Sequence, residues 1–301
     1  MKLGIKVSPK NDSAHDLRTT QAQFCEIWFN IGDIDRYTDL FSYLETHHIE
    51  TGFHFWGQLD DGTLANTAYP DTRIYNESIA LIKKTIDVAE HHQGVYVNIH
   101  PGNRAVIGIN FQQATVQLRS NPVSYEQSEQ LFLESITELN NYAQKKNIVF
   151  TIETIPKKEN ANDWRSDDRS KTIDIYGLQN STVVKAATMG FTIANDFGHT
   201  SAGVSSEDRS VIHKELVEKT NTLFSQTRLL HLGYIIPPYN GTDYHNHLDN
   251  PLLNSNQAVP NTDEMISLLK LFKDRDDVWA LVEPVNDHIR NYFLAKELLK
   301  T

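Results

Sequence analysis

Residues 192–200 read Thr-Ile-Ala-Asn-Asp-Phe-Gly-His-Thr, an apolar strand that ends in Asp196 and His199. A carboxylate and an imidazole three residues apart, where a strand should give way to a loop, suit a metal ion better than an apolar core. The alternative is an Asp that caps a helix beside a hydrogen-bonded loop His. The metal interpretation gains weight because the same pattern, an apolar strand with a His or Glu at its exit, recurs along the chain.

The length and composition are those of an ordinary globular protein. The chain has 301 residues, at the upper edge of one domain or enough for two, with 39% hydrophobic and 22% charged residues. No apolar run approaches the roughly 20 residues needed to cross a bilayer, and the apolar run at the start is too short for a signal peptide. We therefore expect a cytoplasmic protein without a membrane partner.

The charge balance bears on partners and on metal binding. The formal net charge is −11, which repels polyanions and counts against nonspecific binding of nucleic acid. The chain contains 13 His residues, and His is the commonest metal ligand. The single Cys25 excludes an internal disulfide, and its apolar strand predicts a buried, unreactive thiol.

Apolar runs alternate with helical patterns along the whole chain. Strands are predicted over residues 2–7, 24–30, 52–56, 95–100, 148–153, 191–196, 228–233 and 278–283. Helices are predicted within 12–23 and over 33–47, 71–92, 124–146, part of 172–189, 206–226, 262–273 and 287–300, with long loops over 57–70, 157–171 and 234–261. This alternation implies a parallel sheet, and eight strand–helix units predict a single-domain (β/α)8 TIM barrel over residues 1–301. An open doubly wound sheet is the alternative, but no Gly-x-Gly-x-x-Gly follows the first strand.

Candidate metal ligands stand at the exits of the predicted strands. All strands of such a barrel end on one rim, so ligands that are far apart in sequence converge there. The set comprises five His and four carboxylates: His54, His100, Glu153, Asp196, His199, His231, Asp243, His245 and Glu283, with His247 as an alternative to His245. Nitrogen and oxygen ligands suit zinc first and manganese or iron second, and we expect at least two ions.

Single members of this set have structural explanations. His54 and His231 lie within apolar runs, where a buried core His is common, and His100 before Pro-Gly could cap a turn. The coincidence of nine such residues on one rim favours metal. Four carboxylates packed together would need compensating charge, and three divalent ions with one bridging hydroxide would leave a net +1 that attracts phosphate.

Several short motifs resemble the endonuclease IV family (AP endonuclease family 2), part of the xylose isomerase-like barrel superfamily. They are His-Pro-Gly at 100–102, Asp-x-x-His at 196–199 with Ala202-Gly203 after it, Asp-x-His at 243–245, strand-terminal Glu153 and Glu283, and the spacing of Asn66, Pro70, Asp71 and Ser78. The resemblance covers residues 54–283. It implies three zinc ions that share Glu153: one with His54 and His100, one with Asp196, His231 and Glu283, and one with His199, Asp243 and His245. A hydroxide between the ions would attack phosphorus.

The loops depart from that family. Glu153 is followed by Thr-Ile-Pro-Lys-Lys and a charged insertion instead of Asn-Thr-Ala-Gly, and His231 by Leu-Gly-Tyr instead of Asn-Asp-Ser. The related sugar isomerases and epimerases keep a Glu, Asp, His, Glu set on the same strands. Glu153, Asp196, His231 and Glu283 would satisfy that set with one metal ion, and Glu153 or Glu283 would act as the catalytic base.

The choice of substrate depends on the third ligand set. An isomerase does not need His199, Asp243 and His245, so we favour hydrolysis of a phosphoester, either damaged DNA or a small molecule, over conversion of a sugar. A non-catalytic metal-containing barrel that binds a ligand or partner is a further alternative. Arg104, Trp164, Arg165 and Arg169 are the expected contacts to an anionic or aromatic group of the substrate.

Overall fold

The computed structural model describes residues 1–10, 12–161 and 170–300. The strands are Lys2–Leu3 (β1), Ile5–Val7 (β2), Phe24–Asn30 (β3), Glu50–Trp56 (β4), Tyr96–Ile99 (β5), Ile107–Asn110 (β6), Thr115–Leu118 (β7), Val149–Glu153 (β8), Lys158–Asn160 (β9), Thr172–Asp174 (β10), Thr192–Asp196 (β11), Thr227–His231 (β12) and Trp279–Leu281 (β13). The helices are Ser13–Thr20 (α1), Thr38–Thr46 (α2), Thr72–His91 (α3), Tyr125–Gln144 (α4), Asn180–Thr188 (α5), Phe197–Ala202 (α6), Arg209–Leu223 (α7), Thr262–Leu271 (α8) and His288–Leu298 (α9), with 3-10 turns at Ile31–Tyr37 and Pro251–Asn254.

Parallel pairing closes the main sheet into a barrel. Its spatial order is β1-β13-β12-β11-β8-β5-β4-β3-β2. β1 and β2 are two halves of one barrel strand that separate at Gly4: β1 pairs with β13 on one side, and β2 pairs with β3 on the other. The close approach requires glycine, because a Cβ on Gly4 would lie 2.1 Å from a carbon of the Phe24 ring. The eight-stranded barrel predicted from the sequence is therefore confirmed, and the open sheet is excluded.

The helices cover the outside of the barrel through the apolar faces that their periodicity predicts. Ile79, Ile82 and Ile86 of α3 are buried in the largest apolar cluster together with Phe53 and Phe150 of the strands. The Asp71 side chain accepts a hydrogen bond from Ile74 N at 2.9 Å and so fixes where α3 begins. Among the described residues, no helix is both long and apolar enough to span a membrane.

Several predicted boundaries are wrong. Residues after Asp196 form α6 instead of a loop, because the Asp196 side chain caps that helix by accepting from His199 N at 2.8 Å. The polar loop expected after the fourth strand contains the β6–β7 hairpin, whose turn is held by Asn110 Oδ1 accepting from Gln112 N and Gln113 N. The first part of the predicted helix 172–189 is β10, which pairs with β9, and α5 begins only at Asn180.

The barrel interior has an apolar layer beneath a polar one. Phe24, Tyr96, Ala194, Leu229 and Leu281 form a separate buried cluster. Side chains two positions apart in a strand point to the same face. The residue two positions after each of these is polar: Glu26, Asn98, Asp196, His231 and Glu283. Alternation within the strands thus places a polar layer directly on the apolar one, toward the carboxyl ends of the strands.

Candidate metal centre and cavity

Each of the eight barrel strands contributes one polar side chain to a connected network, which we call the inner ring. Its members are Lys6, Glu26, His54, Asn98, Glu153, Asp196, His231 and Glu283. Apart from Glu283, which follows β13 by two residues, all lie within strands. Glu26, Asn98 and Glu153 are completely buried. Ionised groups survive such burial only when they pair with each other or with metal ions.

Four members of the inner ring could hold one metal ion. The ligand atoms of Glu153, Asp196, His231 and Glu283 all lie within 4.8 Å of one another. His231 Nδ1 lies 3.0 Å from Glu153 Oε1, 2.9 Å from Glu283 Oε2 and 3.7 Å from Asp196 Oδ2. In the described part of the chain, the buried Glu283 Oε2 has no partner in hydrogen-bond geometry. An acceptor left unpaired in this way fits the position of a metal ligand.

A second group lies at the mouth of the barrel and shares Glu153. His54 Nε2, His100 Nε2 and Glu153 Oε2 form a triangle with sides of 3.3, 3.4 and 3.5 Å. Ligands bound at about 2.0–2.1 Å to a tetrahedral zinc ion lie about 3.3–3.4 Å from each other. The spacing of this triangle therefore matches one face of a tetrahedral zinc site.

The third predicted set comes together around one carboxylate. Asp243 Oδ2 lies 3.3 Å from His199 Nε2 and 2.9 Å from His245 Nε2. The other ring nitrogens face backbone carbonyls, with His199 Nδ1 at 2.8 Å from Thr154 O and His245 Nδ1 at 3.0 Å from Glu283 O. Such carbonyl contacts orient an imidazole so that its second nitrogen can bind a ligand.

Of the two histidines that the sequence offered here, the structure places His245 at this cluster. The side chain of His247 contacts the amide of Asn291 instead, with 3.2 Å between His247 Nδ1 and Asn291 Nδ2.

Burial and mutual charge set the protonation of these groups. Burial alone would lower the pKa of His231, but Glu283, Glu153 and Glu26 outweigh it and raise that pKa well above its usual range. Burial would likewise lower the pKa of His245, but Asp243 raises it to about 9. Burial raises the pKa of Asp196 to about 6, against the opposing charge of His199. The imidazoles of His231 and His245 thus supply positive charge that the carboxylates need, and a bound divalent ion would supply it in their place.

Sequence reasoning missed Lys6 and Glu26. Lys6 Nζ lies 2.5 Å from Glu26 Oε1, and Tyr96 donates a hydrogen bond to Glu26 Oε2 at 2.8 Å. Glu26 Oε1 also lies 3.2 Å from His231 Nε2. The available signal was a charged residue in the middle of an apolar strand, as in Gly-Ile-Lys-Val and Phe-Cys-Glu-Ile-Trp. A charge that is buried in this way is almost always paired.

A cavity of about 160 Å³ opens above the inner ring. Its floor consists of His54, His100, His199, Asp243, His245 and Glu283. We call the mainly apolar remainder the wall: Trp28, Phe55, Trp56, Gly57, Leu64, Ala65, Pro101, Ile107, Ile109, Phe111, Val116, Ile155, Pro156 and Ile175, with Asn103 and Glu159 as polar members. The described lining residues include no Lys or Arg. A cavity of about 150 Å³ accommodates one six-membered ring, so this space fits a small molecule.

The predicted substrate contacts are not among the described lining residues of this cavity. Arg104 lies beside it, where its guanidinium carbon is 5.9 and 5.6 Å from the ring centroids of Tyr125 and Tyr176. Its NH1 donates to Val123 O at 3.2 Å. Trp164, Arg165 and Arg169 lie outside the described residues. A role of these four residues in substrate binding stays a prediction.

Cys25 is the buried thiol that the sequence predicts. Burial raises its pKa to about 12, so it is protonated and unreactive at neutral pH.

The fold and the ligand groups define a class of α/β barrel with nitrogen and oxygen donors at the carboxyl ends of its strands. The sequence model of the xylose isomerase-like TIM barrel family matches residues 18–182, more than half of the 301-residue chain. The chain belongs to this family. A search among curated proteins gave no significant match.

Solved structures with the same fold include both branches suggested by the sequence. A D-tagatose 3-epimerase-like protein has 16% identity and a TM-score of 0.64, with 100% of this chain and 96% of that chain covered. The IolI protein with a bound zinc atom has 14% identity and a TM-score of 0.60, covering 99% and 96%. Endonuclease IV from Thermus thermophilus has 12% identity and a TM-score of 0.55, covering 99% and 97%. Likeness at these identities shows the fold, and the activity has to be argued from the site.

Proposed function

We propose that this protein is a metal-dependent isomerase or epimerase that moves a proton at a carbon next to the carbonyl group of a small hydroxy-ketone. The observation that carries this proposal is the four-ligand group of Glu153, Asp196, His231 and Glu283 beneath a cavity sized for one small molecule. Three carboxylates and one imidazole suit a divalent ion, with manganese or zinc as the first choices.

The ion and the glutamates have different tasks. A divalent ion held by these four residues would act as a Lewis acid on the carbonyl and hydroxyl oxygens of the substrate. Glu283 belongs to the ligand group and also lines the cavity floor, so its carboxylate can reach the substrate carbon. Glu283 takes the proton from that carbon, and Glu153, three strands along the barrel, returns a proton to the carbon or its neighbour.

The wall supports a small uncharged substrate over a nucleic acid. Phosphate groups are bound mainly by Arg, Lys and backbone N–H groups, and the described part of the wall lacks Arg and Lys. Trp28, Trp56 and Phe111 offer ring faces and edges to an apolar face of the substrate. The net charge of −11 also disfavours approach of DNA.

Phosphoester hydrolysis is the second candidate. The cluster of His199, Asp243 and His245 favours it, because a second ion next to the four-ligand group would allow two-metal chemistry on a phosphate. The triangle of His54, His100 and Glu153 favours it for the same reason.

One assay separates these functions. The purified protein, loaded with Mn²⁺ or Zn²⁺, is incubated in D₂O with a panel of ketoses and, separately, with a generic phosphodiester and an abasic-site duplex. Deuterium incorporation next to the carbonyl, followed by NMR, supports the proposal if Glu153→Gln abolishes it. Glu50→Gln is the matched control. Glu50 is the first residue of β4, at the end of the barrel away from the inner ring, and it pairs with Lys2. Ester cleavage without deuterium exchange would establish the second candidate instead.

A further inference from the structure

The ammonium group of Lys6 occupies a set of ligands that could otherwise hold a metal ion. Lys6 lies in β2, and its side chain is 8% exposed. Glu26, His54 and Glu283 offer ligand atoms within 4.8 Å of one another. Lys6 Nζ contacts all three residues. It lies 2.5 Å from Glu26 Oε1 and 2.8 Å from His54 Nδ1, and it also forms a hydrogen bond to Glu283 Oε1. A positive charge is therefore already fixed where a cation would bind.

The donor count leaves one assignment for these contacts. A Lys ammonium has three N–H donors and no acceptor. Its three contacts are two carboxylate oxygens and one imidazole nitrogen, so each donor has one acceptor. His54 Nδ1 is farther from the carboxylates, at 3.3 Å from Glu283 Oε1 and 3.6 Å from Glu26 Oε1. His54 Nδ1 consequently accepts from Lys6.

This assignment changes what the other nitrogen of His54 can do. When Nδ1 of a neutral imidazole accepts a hydrogen bond, the ring proton is on Nε2. Nε2 is the His54 atom in the triangle with His100 and Glu153. A nitrogen that carries a proton has no lone pair for a metal ion. The triangle therefore has the spacing of a zinc site but only two available ligands.

We propose that Lys6 is a tethered cation that keeps metal away from His54 and confines it to the ligands on the other side of Glu283. The inference rests on the proposed metal site at Glu153, Asp196, His231 and Glu283. Lys6 acts there as a positioning residue, because it holds Glu283 Oε1 while Oε2 faces His231 at 2.9 Å. The inner ring thus binds metal at Glu153, Asp196, His231 and Glu283 and not at Glu26, His54 and Glu283.

Metal counting tests the proposal. Lys6→Ala removes the ammonium, leaves room for an ion among Glu26, His54 and Glu283, and frees His54 to bind through either nitrogen. We expect it to bind one more Zn²⁺ per chain than the wild type, as measured by calorimetry and elemental analysis, and to gain more thermal stability from Zn²⁺ than the wild type does. Lys2→Ala is the matched control, since Lys2 lies in the other half of the same barrel strand and pairs with Glu50. An unchanged zinc count in Lys6→Ala overturns the inference.

The wild type supplies a test that does not depend on the variant. Anomalous diffraction from zinc-soaked wild-type crystals should place no ion bonded to His54, with Lys6 Nζ in contact with Glu26 and Glu283. An ion bonded to His54 Nε2 overturns the inference even if Lys6→Ala fails to fold. Failure of the proposed function looks different: no ion lies among Glu153, Asp196, His231 and Glu283, whatever is bound at His54.

Discussion

The inner ring and the wall face the same cavity but are built in different ways. The inner ring stands on eight hydrogen-bonded parallel strands, so neighbouring backbones fix the position of each side chain. The wall comes mostly from strand ends, the loop after β4, the β6–β7 hairpin and the segment after β8. Catalytic barrels use the strands as a rigid frame and vary the loops. We therefore expect the ring to determine metal binding and the wall to determine which substrate is bound.

The largest effect should come from Glu153→Gln. Glu153 belongs to the four-ligand group, so the substitution removes one of the three carboxylates that would bind the ion. We expect the affinity for Mn²⁺ or Zn²⁺ to fall by more than about 100-fold, beyond the cost of losing an outer hydrogen-bond partner of a metal ligand. Calorimetric titration of the metal-free protein measures this. Unchanged affinity would remove Glu153 from the metal site.

Tyr96→Phe tests the hydrogen bond by which the apolar layer of the barrel holds Glu26 of the inner ring. The substitution removes the hydrogen bond from the Tyr96 hydroxyl to Glu26 Oε2, and both groups are completely buried. We expect the free energy of unfolding to fall by about 1–3 kcal/mol, because a buried acceptor loses its donor. Urea unfolding measures the change, with Tyr142→Phe as control, since that hydroxyl bonds Asp87 near the surface. Equal stability of the two variants would show that the hydrogen bond from Tyr96 to Glu26 does not stabilise the fold.

Phe111→Ala should affect the wall and leave the ring intact. The Phe111 ring meets Trp28 and Trp56 edge-on, with centroid distances of 5.5 and 6.2 Å. Such contacts contribute about 0.5–1.5 kcal/mol each. We expect KM for the substrate to rise about tenfold at unchanged metal affinity, since about 1.4 kcal/mol corresponds to a factor of ten. Phe293→Ala, an exposed residue of α9, should change neither quantity. A loss of metal affinity in Phe111→Ala would show that ring and wall are not separable.

The same contrast explains what the sequence could predict. Long apolar runs with regular helices between them indicated the eight barrel strands, and Glu153, Asp196 and Glu283 stood out because polar residues end those runs. Lys6 and Glu26 were missed because Lys6 is the middle residue of a three-residue strand and Glu26 is the third of seven, and only closure of the barrel reveals that both side chains point inward. The pattern alone does not show which face is the interior.

The wall was beyond sequence reasoning for a different reason. Ile107 and Val116 face the cavity because a hairpin of two four-residue strands folds over it, and that hairpin has a turn that an Asn side chain stabilises. Strands of four residues are too short to show the periodicity that marks the barrel strands. Contacts such as that between Trp28 and Phe111 join segments about 80 residues apart in the chain and depend on tertiary packing.

The smallest effect concerns the loop that carries Leu64 into the wall. Asp61 accepts from Thr63 N at 2.9 Å and pairs with Arg73 at 2.7 Å. The hydrogen bonds from Thr63, with the charge of Arg73, lower the pKa of Asp61 from 3.8 to about 2. Because the folded-state pKa is depressed, the ionised carboxylate stabilises the fold above about pH 4, and this contribution is lost as the pH falls toward about 2.

Asp61→Asn should therefore melt slightly below the wild type at pH 7, by at most about 2 °C, since the pair is exposed to solvent. The difference should shrink at about pH 3.5 and in about 1 M NaCl, which screens the contact with Arg73. Thermal unfolding at both pH values, with and without salt, measures it, and metal affinity should be the same in both proteins. A melting difference that persists at acid pH and high salt would mean that the Asn disturbs the turn itself, and the loop would then depend on the shape of Asp61 more than on its charge.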